Sequence, residues 1–176
     1  MTTAKALHRI AALTLSIVLL AGCGGKGPQI PSQRKGQEPR EDSTALAMLE
    51  LNMRLAQAAD TELTRLATAQ DDSYALYDAN VWIHFIDRGD TETDYTGPTR
   101  TLRMRTYTLD GKLLTDSEGT YTLGKNELPG GVEWNMKEFH PGSRVRMFVP
   151  WYMAYGQQGT EHIPPYENVM IELEMK

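Results

Sequence analysis

The spacing of apolar positions along this chain changes near residue 74. Upstream, Thr44–Gln70 contains no Gly or Pro, Asp42 or Ser43 can cap its start, and strong helix formers dominate. Apolar side chains recur there at spacings of three, four or seven, which puts on one face Leu46, Leu49, Met53, Ala56, Leu63 and Leu66. The pattern predicts an amphipathic helix of about 26 residues, roughly 40 Å long.

Two roles are open for this helix. In the first, its apolar stripe packs on the folded domain, or the helix simply stands off the domain as a stalk. In the second, the stripe is a dimer seam, and residues 44–70 join two copies of the chain. Burying a large apolar side chain stabilises a protein by about 1.5–3 kcal/mol, so we expect the stripe to be buried in some contact.

From Tyr74 onward the apolar period is two, which predicts β-strands. The first strand lies at Val81–Ile86, where apolar residues on both faces indicate burial on both sides or cover by the helix. Alternation predicts further strands at Leu102–Tyr107, Tyr121–Leu123, Arg144–Val149 and Val169–Met175. The inward residues of the last strand are Val169, Ile171, Leu173 and Met175.

One short helical pattern interrupts the strands. Leu128–Phe139 places Val132, Met136 and Phe139 on one side of a helix. Antiparallel strands around one short helix are typical of an α+β domain with a single core. The sequence therefore predicts an α+β fold preceded by a long N-terminal helix.

The first 22 residues have the composition of an export signal. Lys5 and Arg9 precede an apolar run, Ile10–Ala21, that is too short to span a bilayer by itself. The run ends in Leu20-Ala21-Gly22-Cys23, which resembles a bacterial lipobox, whose Cys is lipidated and becomes the first mature residue. The alternative is an ordinary signal peptide with a Cys at this place by chance.

Composition then divides the rest of the chain. Gly24–Asp42 holds three prolines and four glycines with almost no apolar side chains, which indicates a flexible tether. We predict a signal peptide at 1–22, a lipidated Cys23 with its tether at 23–42, the helix at 43–73 and the domain at 74–176. Gly24, in place of an acidic residue, favours a protein anchored in the outer membrane and facing the periplasm.

Charge and residue content exclude several classes of function. Removal of the signal leaves 16 basic and 23 acidic residues, a formal charge of −7, which argues against a nucleic-acid partner. Cys23 is the only cysteine, so an intramolecular disulfide is impossible. The four His lack metal-ligand spacing and no phosphate-binding glycine loop occurs, so we expect no metal and no cofactor. His84 is expected to be a half-buried strand residue.

The last third of the chain carries a specific pair of motifs. A strand ending in Pro150 leads to Ala154-Tyr155-Gly156, and a short polar loop then leads to Ile163-Pro164-Pro165 and the closing strand. Upstream, in order, stand Asp110-Gly111-Lys112, Leu123-Gly124-Lys125 and His140-Pro141-Gly142. Over roughly residues 95–176 the chain resembles FKBP-type peptidyl-prolyl cis-trans isomerases. It also resembles the small lipidated FKBP-like proteins of gliding and gut bacteria, in which a long helix precedes the domain.

The resemblance implies a curved antiparallel sheet wrapped around the short helix, and a site for a substrate proline. Tyr155 matches the residue whose hydroxyl donates to the ligand's carbonyl, and Ile163 matches the hydrophobe that closes the pocket. The remaining wall positions match Met104, Leu114, Leu128, Val132 and Ile171. Local core packing is the alternative for both Tyr155 and Ile163.

The pocket also departs from the family pattern. Val132 stands where the family has a Trp, and Trp134 lies about 200° further around a helix, so it does not substitute. Pro129 lacks the N–H that the family offers to its ligand, and Met104 stands where a Tyr is expected. The family's acidic residue corresponds to Thr115, or to Asp116 if one residue is inserted.

Two functions therefore remain open from the sequence. In the first, the chain is a peptidyl-prolyl isomerase and folding helper for proline-containing exported polypeptides at the cell envelope. In the second, it is a non-catalytic FKBP-like module that binds a protein partner. Tyr155 and Ile163 favour the first function, whereas Val132, Pro129 and Met104 favour the second.

Overall fold

A computed structural model describes residues 43–70 and 73–176. The predicted signal peptide, Cys23 and the tether lie outside these residues. Residues 43–176 form one compact unit. Within the described ranges, no helix combines the length and the apolar character needed to cross a bilayer.

A single antiparallel sheet of six strands organises this unit, and the predicted α+β class is confirmed. The helices are α1 (Ser43–Ala69) and α2 (Gly130–Trp134). The strands are β1 (Ala75–Leu76), β2 (Trp82–Asp87), β3 (Thr99–Thr108), β4 (Leu113–Thr122), β5 (Arg144–Val149) and β6 (Val169–Met175). Their order across the sheet is β1-β2-β5-β6-β3-β4.

The two central strands show the alternation that the sequence predicts. In β5 and β6 the inward side chains are buried against α2, and those on β6 are Val169, Ile171, Leu173 and Met175. Phe148 of β5 points to the other face and is also buried, because α1 covers it there through Leu63. The sheet thus has a main core on one face and a smaller core under α1.

β4 is much longer than the predicted strand at 121–123. It spans ten residues and pairs with β3 from Thr99 to Tyr107. Most of its residues are polar or small, as in Thr115–Thr120, and it is an edge strand with β3 as its only neighbour. Such a strand buries little surface on either face, so its sequence carries no strong apolar alternation.

The short helical segment is broken where one continuous pattern was predicted. α2 ends at Trp134, and a separate 3₁₀ turn follows at Met136–Glu138. Between them, the buried Asn135 donates from Nδ2 to the carbonyls of Gly131 at 2.8 Å and Asp78 at 3.1 Å. The predicted apolar side is correct, since Val132, Met136 and Phe139 are all buried.

α1 begins and ends one residue earlier than predicted, and only its C-terminal half is buried. Ala59, Leu63 and Ala67 are buried, and Leu63 and Ala67 pack against Phe148 of the sheet. Leu46, Leu49 and Met53 are 51%, 56% and 65% exposed, so the domain does not cover the first half of the stripe, and burial of that half in a dimer stays a prediction. Leu66 and Ala56 are half-buried.

Candidate active site

All seven predicted site residues meet in the main core on the inner face of the sheet. The buried members of this cluster are Met104, Leu128, Val132, Ile163 and Ile171. Leu114 and Tyr155 are half-buried and pack against it. The cluster formed by these seven residues is apolar apart from the Tyr155 hydroxyl, and Val132, Ile163 and Ile171 within it are fully buried.

Tyr155 lies on the connection from β5 to β6, residues 150–168, which we call the site loop. The loop begins with a 3₁₀ turn at Trp151–Met153. The Gly156 N–H then donates to the Trp151 carbonyl at 2.8 Å, and the Tyr166 N–H donates to the Gly156 carbonyl at 3.1 Å. These backbone bonds close a compact bend on both sides of Tyr155.

The Tyr155 hydroxyl has a partner on the sheet. Its oxygen lies 3.1 Å from Oγ1 of Thr106, a fully buried residue of β3. Burial raises the pKa of Tyr155 above its usual value, and hydrogen bonds with Thr106 and Thr115 oppose that shift. The hydroxyl is therefore protonated at neutral pH and can donate a hydrogen bond to a bound carbonyl.

The second half of the site loop holds Ile163 inward. Its N–H donates to Oγ1 of Thr160 at 3.1 Å, and its carbonyl accepts from the Thr160 N–H at 2.8 Å. Gly159, at φ +64°, lies under this turn, and a Cβ there would stand 2.2 Å from the Ile163 carbonyl oxygen. This turn can form only with glycine at position 159. The turn holds the Ile163 side chain in the core.

The strand register decides between Thr115 and Asp116. Thr115 pairs with Thr106 on the site side of the β3–β4 ladder, next to a shift in register between Thr106 and Tyr107. Asp116 points to the opposite face and accepts two hydrogen bonds from Arg103, at 2.9 and 2.7 Å. The site thus has a threonine hydroxyl at this position, and Asp116 belongs to the outer surface.

That outer surface carries alternating charges instead of an apolar slot. Across four strands, Asp116, Arg105, Glu172 and Arg146 are consecutive neighbours. A polar cleft of about 200 Å³ lies beside them, but its arginines already pair with carboxylates, as Arg105 does with Glu172 at 3.3 Å. The outer cleft therefore does not match the apolar site that the sequence predicts, and that predicted site lies on the inner face, around Tyr155.

The family comparison decides the identity of the C-terminal part of the chain. Residues 91–176 match the family model of FKBP-type peptidyl-prolyl cis-trans isomerases. These residues form an FKBP-type isomerase domain. The cis–trans isomerisation of peptidyl-prolyl bonds is the activity of that family. No curated protein sequence matches the chain significantly.

Solved structures agree with the FKBP fold. A peptidyl-prolyl cis-trans isomerase from Pseudomonas syringae pv. tomato aligns with TM-score 0.58 and 17% identity, over 70% of this chain and 92% of that one. FkpA from Escherichia coli aligns with TM-score 0.57 and 18% identity, over 76% of this chain and 63% of that one. The N-terminal domain of FKBP42 from Arabidopsis thaliana gives 0.53 and 22%, over 60% and 91%.

The FKBP-type domain departs from its family on the side formed by α2. Val132 is fully buried, while Trp134 is 65% exposed, so the indole does not take the place of the missing wall residue. Pro129 is the residue that precedes α2, and it has no N–H to offer to a ligand. The Tyr155 side of the FKBP site is thus preserved better than the α2 side.

Thr106 is a site residue that the sequence reasoning missed. It is the one polar residue of β3 that is buried, in line with Leu102 and Met104. A lone polar residue on an otherwise apolar strand face indicates a buried hydrogen bond. That signal could have identified Thr106, although not its partner, Tyr155.

Among residues 43–70 and 73–176, no group of three or more His, Cys, Asp or Glu side chains is placed to hold a metal ion. His84 is half-buried on β2, with Nδ1 3.1 Å from the Ser73 carbonyl oxygen.

Proposed function

We propose that this chain is a lipid-anchored envelope protein whose FKBP-type domain isomerises prolyl bonds in exported polypeptides. The single observation that supports this most is that Tyr155 packs against the apolar cluster that also contains Ile163. The export signal and the lipobox-like end at Cys23 support the location, in the outer membrane facing the periplasm. The grouping with lipidated FKBP-like proteins belongs to the same proposal.

Such a site suits the chemistry of prolyl rotation. The barrier of about 20 kcal/mol comes from amide resonance, so the reaction needs neither a nucleophile nor a proton carrier. An apolar surface desolvates the amide, and a hydrogen bond to the carbonyl before the proline holds the peptide while the bond twists. In this proposal Ile163 contacts the proline ring and Tyr155 donates to the carbonyl.

Replacement of Tyr155 by Phe tests that role. The ring stays in the cluster but the donor is lost, so we expect kcat/KM for a prolyl peptide to fall roughly threefold to tenfold, the worth of one ordinary hydrogen bond. The measurement is protease-coupled or NMR exchange kinetics on the folded variant. Turnover equal to that of the wild type would contradict the role of the hydroxyl.

Thr106→Val is the matched comparison. It breaks the same hydrogen bond from the other end but leaves the hydroxyl on Tyr155. We expect it to lower thermal stability much as Tyr155→Phe does, without the same loss of kcat/KM. If both variants lose activity only in proportion to their unfolding, Tyr155 is a structural residue of the core.

The second candidate function is partner binding without turnover. Three observations favour it: the buried Val132 in place of a wall residue, the missing donor at Pro129, and the fully apolar Met104. The same kinetic assay, run with and without an FKBP-directed macrolide, separates the two functions. No rate above the uncatalysed background would leave the binding module as the function of this domain.

We also propose that the exposed half of α1 joins two copies of the chain. Leu46, Leu49 and Met53 are more than half exposed, and Met48 and Leu51 next to them are also exposed. Five large apolar side chains within eight residues are unusual on a monomer surface and mark interaction sites. A second copy of the same helix offers a surface of matching chemistry.

Sedimentation of the lipid-free chain, carrying Cys23→Ser, tests this dimer. We expect a dimer that becomes monomeric when Leu49 and Met53 are both replaced by Glu, because the seam would then bury like charges. Ala58→Glu adds a charge at an exposed position on the opposite side of the helix from Leu49 and should leave the dimer intact. A monomeric wild type would exclude the seam.

A further inference from the structure

α1 makes hydrogen bonds to both ends of the site loop. At the start of the loop, the Tyr152 hydroxyl donates to the Asp60 carboxylate. Near the end, Nδ2 of Asn168 donates to Glu62 at 3.0 Å, and the Tyr166 hydroxyl donates to Oδ1 of Asn52 at 3.3 Å. Asp60 and Glu62 lie within one turn of α1, and Asn52 lies about two turns earlier on the same helix, so the positions of the three contacts relative to one another are fixed.

The contact at Asp60 is a three-residue cluster. Nδ2 of Asn80 lies 3.3 Å from the Asp60 carboxylate and 3.1 Å from the Tyr152 hydroxyl oxygen. Burial raises the pKa of Tyr152 to about 12, with the hydrogen bond to Asp60 as the next cause. Tyr152 is therefore a neutral donor to a carboxylate, which is the stronger class of protein hydrogen bond.

The held residues define the conformation around Tyr155. The Trp151 N–H donates to Oδ1 of Asn168 at 3.0 Å, and the Trp151 carbonyl accepts from Gly156 on the far side of Tyr155. The buried Trp151 indole also contacts both flanking rings, with centroids 5.5 Å from Tyr152 and 4.8 Å from Tyr166. A displacement of Tyr152 therefore moves the backbone that carries Tyr155.

We infer that Asp60 and Tyr152 are positioning residues of the isomerase, through which α1 holds the site loop in its active geometry. The inference rests on the proposed role of Tyr155. Asp60 lies outside residues 91–176, so the activity of the FKBP-type domain depends on an element that the family match does not cover. A displacement of a reacting or binding group by about 1 Å can lower a rate by about a hundredfold.

Kinetics on the full mature chain test this inference. We expect Tyr152→Phe and Asp60→Ala each to lower kcat/KM by about threefold to tenfold, the loss of one charge-assisted contact. The double variant should lose no more than either single one, because both changes remove the same contact. Asp60→Asn keeps an acceptor oxygen and should restore most of the activity.

A matched control lies on the same helix. The Thr68 hydroxyl donates only to carbonyls of α1 itself, at 2.8 Å to Thr64, so Thr68→Ala should leave kcat/KM unchanged. All variants are compared at equal folded fraction, measured by circular dichroism. Additive losses in the double variant, or no rescue by Asp60→Asn, would show a general loss of stability and overturn the inference.

A second measurement is independent of turnover. Amide hydrogen exchange at Gly156 and Tyr166 reports whether the loop is held, because both N–H groups bond within it. We expect Tyr152→Phe to speed their exchange by about tenfold and Thr68→Ala to leave it unchanged. Unchanged exchange overturns the inference even in an active enzyme. If Tyr152→Phe speeds amide exchange but the wild-type chain shows no turnover, the proposed isomerase function is refuted. The inference that α1 holds the site loop then still stands.

Discussion

We expect Gly159→Ala to lower isomerase activity by at least about tenfold while the sheet stays folded. The added Cβ would meet three backbone atoms, at 2.2 Å from the Ile163 carbonyl oxygen and 2.7 Å from two atoms of Pro164. Backbone atoms cannot rotate away as a side-chain end can, so the turn must open. Ile163 would then leave the cluster, and its proposed apolar contact with the proline ring of the substrate would be lost.

Gly156→Ala is the matched control for this change. Gly156 has φ +73°, close to the +64° of Gly159, but no atom within 4 Å of an added Cβ. Both variants therefore carry the left-handed backbone strain of about 1–2 kcal/mol, and only Gly159→Ala carries the clash. Kinetics and thermal unfolding of the pair separate the two effects. Equal activity losses would show that the close approach at 159 does not matter.

Cys23→Ser should transfer the protein from the membrane fraction to the soluble periplasmic fraction, or leave it unprocessed. Each buried CH₂ group of an acyl chain contributes about 0.8 kcal/mol, so an anchor of two or more chains holds the protein nearly completely. The predicted tether that follows has almost no apolar side chains to replace the anchor. Immunoblots of fractionated cells measure the change.

The predicted membrane location can be tested with a control on activity in the same variant. The soluble Cys23→Ser protein should retain the wild-type kcat/KM, because the site and α1 lie at residues 43–176. In the wild type, separation of inner and outer membranes tests the expectation based on Gly24, the residue after the Cys. A mutant that remains on membranes at wild-type size would exclude the lipoprotein hypothesis.

The sequence predicted those features of this protein that depend on a regular pattern or a fixed spacing between residues close together in the chain. Alternation along β5 and β6 identified the inward residues because those strands are central and buried. The Ala-Tyr-Gly and Ile-Pro-Pro motifs located Tyr155 and Ile163 because a turn of fixed geometry needs particular residues at fixed spacing. The family model covers the same region, residues 91–176, and confirms the FKBP-type domain.

The burial of α1 could not be read in the same way. A helical stripe shows which face is apolar but not how much of it has a partner. The long apolar residues at Leu46, Leu49 and Met53 are exposed, whereas the short Ala59 and Ala67 are buried. The position of the sheet decides which helix residues contact Phe148. The helical period of the sequence carries no information about that position.

Only the tertiary structure decided which polar side chains meet. Whether Thr115 or Asp116 faces Tyr155 depends on the β3–β4 register, and a shift of one residue reverses the face of every side chain. Thr106 and Tyr155 are 49 positions apart, and Asp60 and Tyr152 are 92 apart. A hydrogen bond between distant residues has no period and no fixed spacing along the chain, because folding alone brings its donor and acceptor together.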